Sequence, residues 1–214
     1  MLEIACGSGN LAESFLKNFV SYVGLDYSRP MLKIAKEKCP ERKFLYGDMR
    51  NFNADKLFNA ILITGRFTSY FLTDDDFYQT FDYVRRALQT KGVFIFDFID
   101  ANRFSLYITS NPKAVHKSLV TGKQYLRESK WKNSNRGSIS LVNWTADYYS
   151  IQQTNKTFLG NDTSVFRTFI LDEIKELLKT KGFKIIECFD CRTYAFDTFV
   201  VVCKKLEKTT PPDA

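Results

Sequence analysis

Over its first hundred residues the sequence keeps switching period, from short apolar runs to amphipathic stretches and back. That alternation is the sequence form of a parallel sheet covered by helices, because consecutive parallel strands need a crossover between them. "LEIA" leads into a helical pattern from Asn10 to Phe19, and "YVGL" into a helix whose Pro30 suits a first turn and which runs to Lys38. "KFLY" and "FNAILIT" read as the next two strands. "TDDDFYQTFDYVRRALQTKG" has acids early, cations late and a glycine at its close, which predicts a capped helix ending at Gly92. "VFIFDFI" then makes a fifth strand, apolar enough to be buried on both faces.

From Ala101 to Phe166 the pattern becomes polar with interleaved Tyr and Trp, as in "GSISLVNWTADYYSIQQ". Antiparallel strands joined by Asn, Gly and Ser turns are expected there, set as an insertion at one edge or end of the sheet. "LDEIKELLKTKG" is an amphipathic helix ending at Gly182; "FKIIECFD" and "TFVVVCKK" follow with too short a link for a helix, hence as an antiparallel pair. The expected division is a core at 1–100 and 167–205, a β-rich insertion at 101–166 and a disordered tail at 206–214.

A chain of 214 residues suffices for one domain with a full core and a modest insertion. It holds no apolar run near the roughly 20 residues of a membrane span. The start lacks the basic flank and apolar stretch of a signal peptide, so a cytoplasmic, reducing setting is expected. Five cysteines, Cys6, Cys39, Cys188, Cys191 and Cys203, are an odd set and predict thiols, most of them buried, rather than disulfides. Cys188 and Cys191 form a C-x-x-C on a strand rather than at a helix start, and with one histidine, His116, no zinc site is expected. The net charge of +7 raises nucleic acid as a partner. Its lysines are nevertheless interleaved with acids, and the densest run, Lys204 to Lys208, lies near the tail, so a solvated surface is the stronger reading. A homo-oligomer stays compatible with all of this; a membrane partner does not.

Gly7-Ser8-Gly9, between the first strand and the first helix, lets backbone approach a ligand at the carboxyl edge of the sheet. With Ala12 the turn also fits G-x-G-x-x-A, and Asp26 ends the next strand, so dinucleotide binding competes. The neighbours discriminate. Glu3, inside the first strand, suits a cationic amino group; Asp26 can accept from ribose hydroxyls; Asp48, in "LYGDMRNF", can accept from an exocyclic adenine amine, with Met49 as an apolar wall. Three carboxylates and no base in the turn describe a ligand with an amine, a ribose and an adenine but no phosphates, as S-adenosylmethionine has.

As an ordered set, "LEIACGSGN", "VGLDYSRPMLKIAKEK", "FLYGDMRNF", "FNAILITGRFTSYF" and "ALQTKGVFIFDF" resemble the motifs of the Rossmann-like, class I S-adenosylmethionine-dependent methyltransferases. The resemblance covers Leu2 to Asp100 and resumes from Phe166 to Lys204. It implies a seven-stranded, mostly parallel sheet of order 3-2-1-4-5-7-6 with the last strand antiparallel. It also implies that Glu3 faces the methionine moiety, with Ala5, Gly7 and Gly9 letting the backbone approach it. Asp26 would hold the ribose, Tyr27 and Met31 would flank the adenine, and Asp48 and Met49 would lie at its far edge. Thr64, Gly65 and Arg66 would lie beneath the sulfonium.

Two departures stand out. Ala5 replaces a small glycine of the motif, which suits an ordinary extended strand. Family members carry helices ahead of the first strand, whereas Met1 is already at that strand, so a truncated reading frame and loss of the lid are expected.

Methyl transfer is an in-line displacement that depends on alignment more than on a base. His116 is the candidate base, and Arg66, Tyr70, Trp144 and Tyr148 are candidate substrate-facing groups. The insertion is similar in architecture to that of small-molecule N-methyltransferases, and an N-P-P-Y signature is absent after strand four. The leading reading is methylation of a small-molecule amine or hydroxyl; an RNA or protein methyltransferase and an inactive cofactor-binding module remain open.

Overall fold

A computed structural model describes residues 1–15, 21–108, 113–118, 121–152, 155–192 and 197–206. The end of the first helix as expected from the sequence, and the expected tail from residue 207 onward, lie outside the described residues.

The first half alternates as its periodicity predicts: β1 (Leu2–Ile4), α1 (Asn10–Ser14), β2 (Val23–Asp26), α2 (Arg29–Lys38), β3 (Lys43–Tyr46), β4 (Phe58–Ile63), a 3₁₀ turn (Phe67–Tyr70), α3 (Asp74–Ala87) and β5 (Leu88–Ile99). Then come α4 (Ala101–Ile108), β6 (Lys113–Lys117), β7 (Gln124–Asn133), β8 (Leu141–Gln152), β9 (Asn155–Arg167), α5 (Leu171–Thr180), β10 (Phe183–Cys191) and β11 (Thr198–Lys205). The main sheet has the order β10-β11-β5-β4-β1-β2-β3. Counting only its own strands in chain order, this is the expected 3-2-1-4-5-7-6. β11 runs antiparallel to β5 and to β10, while β1 to β5 pair in parallel.

Local chemistry explains the helices. Ser28 caps α2 by accepting from the Met31 amide at 3.4 Å, with Pro30 in the first turn. Thr73 and Asp76 cap α3 reciprocally: the Thr73 hydroxyl accepts from the Asp76 amide at 3.1 Å, and the Asp76 carboxylate accepts from the Thr73 amide at 3.2 Å. Phe77, Phe81 and Val84 of α3 bury one face of the sheet together with Ile174 and Leu178 of α5, against Phe94, Phe96 and Phe98 of β5. The Phe81 ring meets Phe94 and Phe96 edge-on at 5.0 and 5.2 Å; burial of each such side chain is worth about 1.5–3 kcal/mol. Ala12, Leu32, Ala35 and Phe44 fill the other face beside β1 and β2.

Two elements differ from expectation. α3 stops at Ala87 rather than at Gly92, because β5 begins at once and absorbs the glycine in a register shift opposite Phe58 and Ala60. A Cβ at Gly92 would lie 2.9 Å from the Gln89 carbonyl oxygen, so the bend needs glycine there. Residues 101–108, read as the start of a strand-rich stretch, form α4. Asp100 starts it by accepting from the Arg103 amide at 3.2 Å and by pairing with the Arg103 guanidinium, an N-cap that the polar reading of the region overlooked.

The second sheet is wholly antiparallel, in the order β6-β7-β8-β9. It leaves and rejoins the core at one place, where Ala101 donates to the Phe169 carbonyl at 2.9 Å and Phe169 to that of Ile99 at 3.0 Å. Arg167, 1% exposed, fastens this joint by pairing with Asp74 of α3 at 2.7 Å and with Glu173 of α5. All five cysteines are free, and the described residues hold no cluster of metal-ligating side chains and no helix long and apolar enough to cross a membrane.

Candidate active site

The turn after β1 is left-handed at three alternate residues, Ala5 (φ 60°), Gly7 (φ 54°) and Gly9 (φ 75°). Ala5 is therefore not in the extended backbone expected of it, and its side chain is held where glycine is favoured. Gly9 answers a second demand: a Cβ there would lie 3.0 Å from that of Ala35, so its absence lets α2 pack against the turn. Asp26, at the end of β2 and 8% exposed, braces the arrangement, accepting from the Gly7 and Ser28 amides at 2.7 Å each. One carboxylate thus ties the glycine turn to the start of α2.

Beside it lies a cavity of about 360 Å³ at the carboxyl ends of β1, β2 and β3, within the size range of small-ligand sites. Ala5, Asp26, Tyr27, Asp48, Met49 and Tyr70 are among its walls, so the three strand ends do converge. Tyr27 is exposed and stacks on Tyr46 at 5.7 Å, with the Arg29 guanidinium 3.8 Å from the Tyr46 ring centre. Asp48 is gripped by Arg50 at 2.6 Å, and that hydrogen bond holds its carboxyl below the usual range. Arg50 also reaches Asp76 at 3.2 Å, so its charge is neutralised within the protein. Sequence reasoning missed Arg50, although its place two residues after Asp48 was the available signal.

Glu3 lies elsewhere than expected. Its carboxyl, 5% exposed, accepts from the Tyr22 hydroxyl and does not line the cavity. Burial pushes its pKa up to about 7, with Asp26 adding to the rise and the Tyr22 hydrogen bond opposing it. Gly7 and Gly9 of the turn, Met31 on the exposed side of α2, and Thr64 do not line this cavity either.

Gly65 and Arg66 belong to a second cavity, of about 310 Å³, between the end of β4 and the antiparallel sheet. Their amides donate to Asp97 of β5 at 3.1 and 2.8 Å. The Thr68 hydroxyl donates to the Asp97 carbonyl, so this aspartate, raised in pKa by burial, shapes the whole turn. Nothing in its apolar strand had marked it out. Across the cavity stand Arg127 and Trp131 of β7, Trp144 of β8, and Ser164 and Phe166 of β9. The two indoles lie 5.9 Å apart at 31°, and Phe104 of α4 meets Trp131 edge-on at 5.6 Å. Tyr70 lines both cavities and is the side chain they share.

Of the candidate substrate-facing groups, Arg66, Tyr70 and Trp144 come together, while Tyr148, opposite Gly160 in the β8–β9 ladder, lines neither cavity. His116 also lines neither. It is exposed on β6, the edge of the second sheet opposite to β9, and β9 is the strand that runs over the 3₁₀ turn. The register of His116 opposite Tyr125 puts it on the face of β7 that carries Arg127 and Trp131, but at the outer edge of the sheet, beyond the residues that wall the cavity.

Comparison with known proteins agrees with this geometry. Residues 1–92 match the model of a methyltransferase domain. The Bacillus subtilis (strain 168) protein YqeM, a methyltransferase by name, is 26% identical over 193 residues, which span 86% of this chain and 73% of YqeM. A dTDP-3-amino-3,4,6-trideoxy-alpha-D-glucopyranose N,N-dimethyltransferase of Streptomyces venezuelae is 33% identical over 76 residues, 36% of this chain and about a third (32%) of that protein's length. Among solved structures, S-adenosylmethionine-bound CalS10, an amino pentose methyltransferase from Micromonospora echinaspora, superimposes with a TM-score of 0.77 at 17% identity, covering 94% of this chain and 81% of that one. At that identity the likeness carries the fold alone. With the strand order and the convergent turn and strand ends, the match over residues 1–92 gives this protein a methyltransferase domain on the Rossmann-like fold that S-adenosylmethionine-dependent methyltransferases share.

Proposed function

We propose that the first cavity holds S-adenosylmethionine and the second a small-molecule amine, methylated where the two meet at Tyr70. The observation that carries this reading is the adjacency itself: a carboxylate-bearing cavity at the glycine turn adjoins an aromatic cavity, with Tyr70 in the wall of each.

The first cavity suits the cofactor in its donor set. Asp26 keeps lone pairs beyond the two amide bonds it accepts and can take ribose hydroxyls. Tyr27 and Met49 offer apolar surface to an adenine, and Asp48, kept ionised by Arg50, can accept from its amine. Glu3 acts from behind, holding Tyr22 under the turn rather than touching the ligand. When bound, the cofactor supplies a methyl group on a positively charged sulfur, which a neutral amine can displace in line.

The chain's own residues then have two tasks. Asp97 fixes the turn that carries Tyr70, so both ligands meet a wall set by β5. Residues 101–166 cover the acceptor and exclude water, with the Trp131–Trp144 pair as its floor. Among the described residues no carboxylate or histidine lines the second cavity, so the acceptor enters as free amine and its surplus proton leaves to water. Relatives named as N,N-dimethyltransferases of amino sugars support an amine acceptor.

Calorimetry with S-adenosylhomocysteine tests the first half. Saturable binding is expected, and Asp26→Asn should weaken it by about tenfold or more, as loss of a charged hydrogen-bond acceptor does. Absence of binding to the parent protein, or unchanged affinity in the variant, sinks the assignment.

A further inference from the structure

We propose that the cavity beneath the antiparallel sheet recognises an anionic group, so that its methyl acceptor carries a carboxylate or a phosphate. This rests on the reading of that cavity as the acceptor site. Its side-chain nitrogens, on Arg66, Arg127, Trp131 and Trp144, are donors only, and its hydroxyls can donate as well. The Ser69 hydroxyl, in a residue 2% exposed, the Arg127 Nε and the Trp144 indole N–H are buried, and none has a hydrogen-bond partner among the described residues. All three line this one cavity although they come from the 3₁₀ turn, β7 and β8, and Arg66 joins them from the end of β4. Buried donors left without acceptors are costly, and three of them belong to side chains that wall this one cavity.

The charge balance gives the ligand's sign. Among the described residues no Asp or Glu lines the cavity, whereas the first cavity has Asp26 and Asp48 in its walls. Glu128, the acid next to Arg127 in β7, points to the opposite face of the strand, where Lys113 at 3.1 Å and Lys156 at 2.9 Å hold it. An ammonium would be repelled by the Arg127 guanidinium, and a neutral ligand would leave its buried Nε donor unanswered. A carboxylate or phosphate satisfies Arg127 and leaves the indole faces for an apolar or planar body.

The protein's two tryptophans both line the cavity, so its intrinsic fluorescence reports on this site. Benzoate, phenyl phosphate, benzamide and benzylammonium, titrated at constant ionic strength, separate anion from neutral and cation on one ring. At least one anion should saturate and bind about tenfold or more tighter than benzamide and benzylammonium, and the order of the two anions tells carboxylate from phosphate. Arg127→Gln should remove that preference and Arg127→Lys restore part of it. Equal binding of benzoate, phenyl phosphate and benzylammonium, or an Arg127→Gln protein that keeps the preference, overturns the proposal. If Arg127→Gln does not fold, the ranking of the four probes on the parent protein decides alone. S-adenosylhomocysteine binding on the same sample keeps the two readings apart: its retention with no anion preference sinks this proposal only, and its loss sinks the cofactor assignment.

Discussion

Ala5→Gly should make the protein more stable, the reverse of what a glycine usually does in a folded chain. At φ 60° the alanine sits in the left-handed region, where an L side chain costs about 1–2 kcal/mol relative to the right-handed one. Glycine removes that penalty but brings a more disordered unfolded chain, which takes back about 0.4–1 kcal/mol. Little packing is lost, because Ala5 lines a cavity rather than the core. The net gain is about 0.5–1 kcal/mol, or about 1–4 °C in Tm for a chain of this length. Urea unfolding at pH 7 with an unchanged m-value measures it, and Ala5→Val serves as the opposing probe. A β-branched residue is worse still at positive φ and fills the cavity floor, so Val should lose more than about 1 kcal/mol and also weaken S-adenosylhomocysteine. A glycine variant less stable than the parent would mean that residue 5 is extended after all, and the account of the turn would fail.

Glu3 makes stability depend on pH in a direction unusual for a carboxylate. Its folded pKa of about 7 lies above the ordinary value, so the native state keeps a proton that the unfolded chain gives up. Stability is full below about pH 4.5 and falls as pH rises to about 7, by up to about 3 kcal/mol. Glu3→Gln should flatten that slope, matching the parent at pH 4.5 and exceeding it at pH 8; parallel curves for the two proteins would refute the assignment. For the joint at Arg167, truncation to Ala should cost about 2–4 kcal/mol through lost packing on Phe169 and lost pairing. Arg167→Met should recover most of it, because Asp74 and Glu173 are 49% and 36% exposed and can turn to water. Equal losses in the two variants, read by thermal unfolding, would place the whole effect on charge.

Where sequence succeeded, one face of an element was buried against a partner of fixed period. Each strand from β1 to β5, and the closing β10–β11 pair, could be read because apolar runs and helical stripes have no other way to bury themselves. Convergence of Asp26, Asp48 and Met49 followed from topology alone, since successive parallel strands end on one edge. Polarity misled the reading of α4, whose start depends on a single cap by Asp100. The left-handed Ala5, the Arg50 grip on Asp48 and the Asp97 brace are facts of side-chain direction and φ, which residue type does not encode. His116 attracted a role by chemistry, and only its place on the outermost strand of the second sheet, outside the lining of either cavity, tells against it.

The joint at Asp100 and Phe169 has one more consequence. The stretch from Ala101 to Thr168 leaves and returns where Ala101 and Ile99 are hydrogen-bonded to Phe169, so its two ends are held a strand's width apart by the core. A loop of almost any length can span a gap already closed, at little entropic cost. The segment is in this sense an exchangeable cassette: if its cavity is the acceptor site proposed above, grafting a different one between Asp100 and Phe169 should change which acceptor is admitted and leave the turn at Gly7 and the Asp26 brace as they are.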